Sequence, residues 1–187
     1  MNAKKLSFLL LILVAVACTN RSTSSEQDEM RHWNNVLQQI NALLLENKAR
    51  QTLDLAKQTL PEILESAEKN GTTDTLIYYA RKIFNACGNN YINTKQYKDG
   101  IDYMDSIGNH PLIREHCPHE LLSFKAGLNQ LYGNNPEAVR LAEDYLQLPV
   151  CTSANDFIRQ AEIISGVYMY SGNNLPKAIQ ILEKAID

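Results

Sequence analysis

Apolar residues recur with a helical period through most of the chain, from Glu29 onward. No segment alternates apolar and polar residues between turn-forming pairs, which is the pattern that indicates a half-buried strand. The sequence therefore predicts an all-α fold. Three of the apolar helical faces consist of Val36, Leu37, Ile40, Leu43 and Leu44; of Leu53, Ala56, Leu60, Ile63 and Leu64; and of Ile77, Ala80, Ile83, Phe84 and Cys87.

Turn-forming residues divide this pattern at regular intervals. Examples are Asn70-Gly71, Gly133-Asn134-Asn135-Pro136 and Gly172-Asn173-Asn174. Pro136 and Pro176 stand where proline can begin a helix without losing a needed donor, whereas Pro61 predicts a bend or a restart. We predict about eight helices in four antiparallel hairpins, at 29–46 and 48–69, 73–94 and 96–108, 118–133 and 135–147, and 153–172 and 175–187.

Small residues recur at fixed offsets within these hairpins. In the last one, Ala178 follows Gly166 by 12 residues and Ala185 follows Ala178 by 7. This pattern resembles the tetratricopeptide repeat (TPR), and the resemblance implies a TPR-like α-solenoid in which small residues let paired helices approach closely. A bulky side chain at Gly166 or Ala178 would then separate the helices. A plain helical bundle is the alternative. The corresponding places in the four hairpins are Thr52, Gly100, Ala138 and Ala178.

The first residues have the character of an export signal. Lys4 and Lys5 precede an apolar run over 6–17, which is too short to span a bilayer as a helix. The sequence Ala15-Val16-Ala17-Cys18 resembles the lipobox of bacterial lipoproteins, which implies a lipid anchor on Cys18. We predict a signal peptide at 1–17, a flexible tether at 18–28 and a repeat domain at 29–187. Cleavage after Ala17, leaving an unmodified Cys18, is the alternative.

This interpretation places the protein at the inner or the outer membrane on the periplasmic side, with the cell surface as an alternative. The charge balance excludes one class of partner. Lys4 and Lys5 would leave with the signal peptide, so 16 of the 18 basic residues remain against 21 acidic ones. Nucleic-acid binding requires a basic surface to neutralise phosphates, and the chain has no cluster of Lys or Arg.

The cysteines other than Cys18 are predicted to lie in two kinds of structural environment. Cys87 lies within an apolar helical face and is predicted to be a buried thiol. Cys117 and Cys151 are predicted to lie in loops that open a hairpin. A disulfide between these two is possible in an oxidising compartment, although stacked hairpins usually hold such loops too far apart.

The repeat resemblance also implies a binding groove, lined by the first helix of each hairpin. Asn89 matches a residue of the peptide-carboxylate clamp in some co-chaperone repeats, but Asn85 stands where that clamp has Lys. Asparagine supplies both donors and acceptors, which suits binding of a peptide backbone. A solvated polar face is the alternative. The predicted groove residues are Lys82, Asn85, Asn89, Asn93, Ser123, Gln130, Gln160 and Tyr170.

Catalysis and metal binding have weaker support. No Gly-x-Ser-x-Gly elbow, phosphate-binding glycine loop or metalloprotease helix is present, so we predict neither an enzyme nor a cofactor. His110, His116, Cys117 and His119 are residue types that bind zinc or copper, but their spacing matches no compact finger. We predict no metal site among them.

The predicted function is therefore a lipid-anchored periplasmic scaffold that binds a protein or a peptide. The last helix carries Ile179, Ile181, Leu182 and Ile186 with no polar helix after it. This motivates a first alternative, the sensory portion of a larger signalling regulator. Signal, tether and repeats together resemble the periplasmic repeat region of Bacteroidetes regulators. A metal-handling lipoprotein is the second alternative.

Overall fold

A computed structural model describes residues 27–149 and 154–186. The chain divides into two units, Met1–Gln39 and Ile40–Asp187. All regular structure in the described residues is helical, which confirms the all-α prediction. The helices are α1 (27–45), α2 (Ala49–Asn70), α3 (Asp74–Asn93), α4 (Tyr97–Gly108), α5 (Pro111–His116), α6 (Pro118–Tyr132), α7 (Asn135–Leu146), α8 (Ala154–Tyr170) and α9 (Leu175–Ile186).

Local chemistry sets several of these limits. The Thr73 hydroxyl accepts a hydrogen bond from the Leu76 amide at 3.2 Å and so caps the start of α3. Gly133 ends α6 in the left-handed conformation, with φ of 95°, which glycine adopts without steric cost. The Asn174 side chain accepts from the Lys177 amide at 3.1 Å at the start of α9. Turn residues identified in the sequence, such as Gly133 and Asn174, thus lie at the limits of helices, as expected.

Two local expectations need correction. Pro61 lies inside an uninterrupted α2, so the helix does not restart there. The segment before Cys117, expected to be a loop, forms the short helix α5. Pro111 begins it and the His110 ring accepts from the Leu112 amide at 3.2 Å. Cys117 is fully buried between α5 and α6 instead of lying in an open loop. Cys151 lies outside the described residues.

The predicted apolar faces on α2 and α3 contribute to the core of the second unit, whereas Leu44 of the first predicted face is 41 % exposed. Leu53, Leu60, Ile83 and Phe84 are almost inaccessible to solvent, and α2 packs against α3. Farther along the chain α4 packs on α6, α6 on α7 and α8, and α8 on α9. One cluster of buried residues on α6 to α9 comprises Ala126, Ala138, Leu141, Ala142, Tyr145, Ala161, Ile164, Val167, Tyr168, Ala178 and Ile181.

The small residues have different roles at different places. Thr52, Gly100, Ala138 and Ala178 are all buried. A Cβ atom on Gly100 would lie 3.0 Å from both Tyr91 and Leu128, so a larger residue there would require these neighbours to move by a few tenths of an ångström. The expectation for Gly166 is wrong, because a Cβ atom there would meet nothing within 4 Å. The helices near Gly166 could therefore accept a side chain.

Cys87 is a buried thiol, as predicted. It is fully inaccessible and its Sγ lies 3.8 Å from the Tyr103 hydroxyl. Burial penalises the thiolate and raises the pKa of Cys87 from 9.0 to about 12, although the Tyr103 hydroxyl partly opposes this effect. The thiol therefore stays protonated at neutral pH and well into the alkaline range.

We expect Cys87 to resist alkylation in the folded protein. With a pKa near 12 instead of 9.0, about a thousandth as much thiolate is present at pH 8 as in the unfolded chain. Cys87 is also fully inaccessible, so the reagent reaches it only when the fold opens, and the folded rate at pH 8 should be far below the rate in urea. Iodoacetamide labelling followed by peptide mass spectrometry measures both rates. A folded-state rate at pH 8 equal to the rate in urea would contradict this prediction.

Candidate functional site

A pocket of about 150 Å³ lies where α3, α6 and α8 meet. Its lining combines polar side chains from α3 and α8 with the apolar side chains of Phe124 and Ile163. Its volume is below the roughly 300–1,000 Å³ of typical small-molecule sites. The pocket therefore suits a single side chain or a chain end better than a whole ligand. Its lining residues are Lys82, Asn85, Asn89, Phe124, Arg159, Gln160 and Ile163.

Two glycines allow these three helices to come so close. A Cβ atom on Gly88 of α3 would lie 2.4 Å from the ring of Phe124 on α6. A Cβ atom on Gly127 of α6 would lie 2.7 Å from Ile163 on α8. Neither position has room for a side chain without movement of its neighbour. The apolar wall of the pocket thus depends on glycine at both contacts.

A polar network joins α3 to α8 at the edge of the pocket. Arg159 donates from Nε and Nη2 to Asn89 Oδ1 at 3.2 and 3.1 Å. Asn89 in turn donates from Nδ2 to the Asn85 carbonyl at 2.9 Å. Arg159 also pairs with Glu162 at 3.1 Å. These bonds fix the position of the Arg159 guanidinium. They also occupy both the oxygen and the amino group of the Asn89 side chain.

Gln160 contributes a buried donor that is left unused. Its side chain is only 3 % exposed, and its Oε1 accepts a hydrogen bond from the Tyr145 hydroxyl at 3.2 Å. Its Nε2 has no hydrogen-bond partner among the described residues. A buried donor without an acceptor costs about 1–3 kcal/mol. An acceptor group entering the pocket would remove that cost.

The lining includes two basic side chains, and one of them is already paired with the Glu162 carboxylate. Lys82 and Arg159 are both basic, and the described residues that line the pocket include no carboxylate. The Lys82 ammonium lies 5.8 Å from the centroid of the Tyr78 ring. Neither cation is fully exposed, so water screens them less than it would charges on an open surface.

The structure brings together half of the predicted groove residues. Lys82, Asn85, Asn89 and Gln160 line the pocket. The other four lie elsewhere. Asn93 is at the end of α3 beside Lys95 and Asn47, and Gln130 is half-buried on α6 outside the lining. Ser123 is fully buried and donates to the Glu120 carbonyl at 3.0 Å, and Tyr170 is 72 % exposed beyond the pocket.

Arg159, Phe124 and Ile163 line the site but were not predicted. Arg159 immediately precedes the predicted Gln160, and its positive charge near a groove position is a signal that the sequence does carry. Phe124 and Ile163 look like ordinary core residues in the sequence. Only their packing against α3 and α6 makes them walls of a pocket.

The histidine-rich segment is used for local structure. The ring of His110 caps α5 and its Nε2 lies 3.1 Å from Glu68. The ring of His119 lies 2.7 Å from the Pro149 carbonyl and packs edge-on against Tyr145. Within 27–149 and 154–186, no three His, Cys, Asp or Glu side chains are grouped so that they could hold a metal ion.

Comparisons with known proteins give no relative for this chain: no family model, curated protein or solved structure matches it. In the described part of the chain, no helix has both the length and the apolar character that a membrane crossing requires. The residues predicted to form the signal peptide and the tether, including Cys18, lie outside the described residues.

Proposed function

We propose that the chain is a lipid-anchored scaffold on the periplasmic side of a membrane, and that it binds a segment of a protein or peptide. The observation that carries the proposal is the pocket between α3, α6 and α8, which combines four predicted groove residues with an unused buried donor on Gln160. A small pocket of this kind fits one group of a larger partner. The anchor on Cys18 rests on the lipobox resemblance.

The proposed architecture is a TPR-like array of helical hairpins. Its support is the burial of Thr52, Gly100, Ala138 and Ala178, one in each predicted hairpin, together with the packing of α6 on α7 and of α8 on α9. In such an array the first helices of successive hairpins lie side by side. The contact of α6 with α8 agrees with that arrangement.

The experiment is site-specific photo-crosslinking in the organism from which the gene comes. A diazirine analogue of lysine replaces Lys82 in the full chain, and in a matched control it replaces Lys69 at the end of α2. Lys69 has 67 % of its side chain exposed, so random collisions should label that position at least as well. We expect a defined protein or peptide to be captured at position 82 and not at position 69.

The anchor is tested on the same material. The crosslinked chain should be found in the membrane fraction, and Cys18→Ser should release it. Capture of the same set of proteins at positions 82 and 69, or of none at position 82, would contradict the scaffold. Membrane association that persists in the Cys18→Ser variant would contradict the anchor.

A further inference from the structure

We propose that one edge of the second unit, formed by four tight turns, docks on the surface of an anionic lipid bilayer. This inference rests on the proposed function, because it adds a second membrane contact to the anchor on Cys18. The four turns, which together we name the turn edge, join α1 to α2 (46–48), α3 to α4 (94–96), α6 to α7 (133–134) and α8 to α9 (171–174).

The four turns lie side by side. Residues 47–51 at the first turn and 93–95 at the second line one open cleft. Residues 95–99 line the next cleft together with Tyr132 at the end of α6. The fourth turn meets the third where the Ser171 hydroxyl donates to Oδ1 of Asn135, the first residue of α7, at 2.8 Å. The turn edge is therefore one continuous surface, and it shares no residue with the pocket between α3, α6 and α8.

Exposed apolar side chains are concentrated at the turn edge. Among the described residues, five large apolar side chains are more than half exposed, and four of them flank these turns. The four are Leu45, Tyr132, Tyr170 and Leu175, and the fifth is Tyr78 near the start of α3. Surfaces that lie on a bilayer typically combine aliphatic side chains at the acyl boundary with tyrosines at the level of the headgroups.

The turn edge also carries two cations that no described carboxylate neutralises. Lys48 and Lys98 are each already paired with a nearby acidic side chain. Arg50 and Lys95 are exposed, and neither has an ion pair with another described residue. The residues of the third and fourth turns carry no charge. Lipid phosphates complement such free cations close to the membrane surface.

The backbone at Lys95 supports a role for its ammonium group. Lys95 has a left-handed conformation, with φ of 59°, two residues before the start of α4. The corresponding residues of the other three turns are Asn47, Gly133 and Asn173, all with positive φ. Asparagine and glycine adopt this conformation more readily than lysine does. A lysine at such a position indicates a use for its charge.

A bilayer suits this surface better than a folded partner does. The apolar side chains project from separate turns with open clefts between the first three of them, whereas the core of a protein interface is closely packed. Fluid lipid can surround each side chain separately. The contact is weak, but a chain that is already held by a lipid anchor has a high effective concentration at the membrane.

The test is flotation of the processed chain with lipid vesicles, using Cys18→Ser so that no acyl group contributes. One set of vesicles contains phosphatidylglycerol and phosphatidylethanolamine, and the other contains phosphatidylcholine alone. We expect binding to the anionic vesicles to be at least about fivefold stronger, and salt to weaken it. Because the turn edge alone is no stable anchor, Cys18→Ser should still release the chain from washed cell membranes.

Two variants isolate the turn edge, and each has a matched control. Lys95→Asn removes the charge and fits the left-handed backbone, and it should weaken binding to anionic vesicles about fivefold. Lys184→Gln, in the last turn of α9, should leave binding unchanged. Tyr170→Ser should weaken binding at least about threefold, whereas Tyr78→Ser should not. All four side chains are exposed, so these variants should keep the fold, which circular dichroism checks.

A diazirine analogue of lysine tests the same surface in the cell. At position 95 it should form a phospholipid adduct, detected by mass spectrometry of the chain, in higher yield than at position 184. Capture of a protein at position 95 in place of lipid would overturn the inference.

Equal binding to the two kinds of vesicle, or undiminished binding by either Lys95→Asn or Tyr170→Ser, would also overturn it. These failures differ from failure of the proposed function. If the chain does not bind vesicles while position 82 captures a partner and Cys18→Ser releases the chain, the anchored scaffold stands and bilayer docking is wrong. If the turn edge binds vesicles and position 82 captures nothing, bilayer docking stands and the scaffold function is wrong.

Discussion

Replacing Gly88 by alanine should lower the free energy of unfolding by about 1–3 kcal/mol, although alanine is the better helix former. The added methyl group would lie 2.4 Å from ring carbons of Phe124. That ring is 2 % exposed and packs edge-on against Phe84 with centroids 6.0 Å apart, so it cannot move aside freely. Urea unfolding followed by circular dichroism measures the loss.

Gly166→Ala is the matched control, because it makes the same change inside a helix with open space around it. Nothing lies within 4 Å of a Cβ atom there. We expect this variant to gain about 0.5–1 kcal/mol from the reduced entropy of the unfolded chain. Opposite signs of the change in the free energy of unfolding at Gly88 and Gly166 would show that local packing determines the effect of the substitution. A Gly88→Ala variant as stable as the parent protein would mean that α3 and α6 are not in this contact.

A second test of the contact between Gly88 and Phe124 changes the Phe124 ring. Phe124→Leu should cost stability in the parent protein because it leaves a cavity, yet it should cost less in the Gly88→Ala background, where the methyl group fills part of that space. The coupling between the two substitutions, measured as a double-mutant cycle, isolates the contact from the general effect of each change. If the effects of the two substitutions on the free energy of unfolding simply add, the contact between position 88 and Phe124 is contradicted.

Arg81→Leu should lower the free energy of unfolding by about 3–5 kcal/mol, because it would leave the Glu120 carboxylate buried without its cation. Glu120 lies in the first turn of α6 with 2 % of its side chain exposed, and Arg81 on α3 lies 3.1 Å from it. Arg81 also donates to the His116 carbonyl at the end of α5. Thermal and urea unfolding give the size of the loss.

The double variant Arg81→Leu with Glu120→Leu should recover most of that stability, since no charge is then left in the interior. The control is Arg140→Leu, which removes an arginine that lies 2.6 Å from both Glu137 and Asp144 on the surface. Although those contacts are shorter, solvent screens them, so the loss should be much smaller. Equal losses for Arg81→Leu and Arg140→Leu would contradict the role assigned to burial.

The sequence predicts several residues of the candidate site on each separate helix, but it does not predict the contacts between those helices. Lys82, Asn85 and Asn89 were predicted from the groove that the repeat resemblance implies, and their helical spacing agrees with one shared face on α3. Gln160 was predicted from the same resemblance, but its unpartnered Nε2 group was not, because the Tyr145 hydroxyl that occupies its acceptor lies on another helix. Ser123 has the same polar character in the sequence, yet it is fully buried.

The sequence by itself determined the helical class and nearly every helix limit, because hydrophobic period, proline and glycine act within a few residues. The short helix α5 is the exception, since the sequence predicts a loop where Pro111 begins this helix. Only the tertiary structure decided which helices meet. It joins Arg159 to Asn89 across 70 residues, and it places Gly88 against the Phe124 ring while leaving open space around Gly166. Close packing between distant segments leaves no local periodic signal, and therefore the same residue type can have opposite roles.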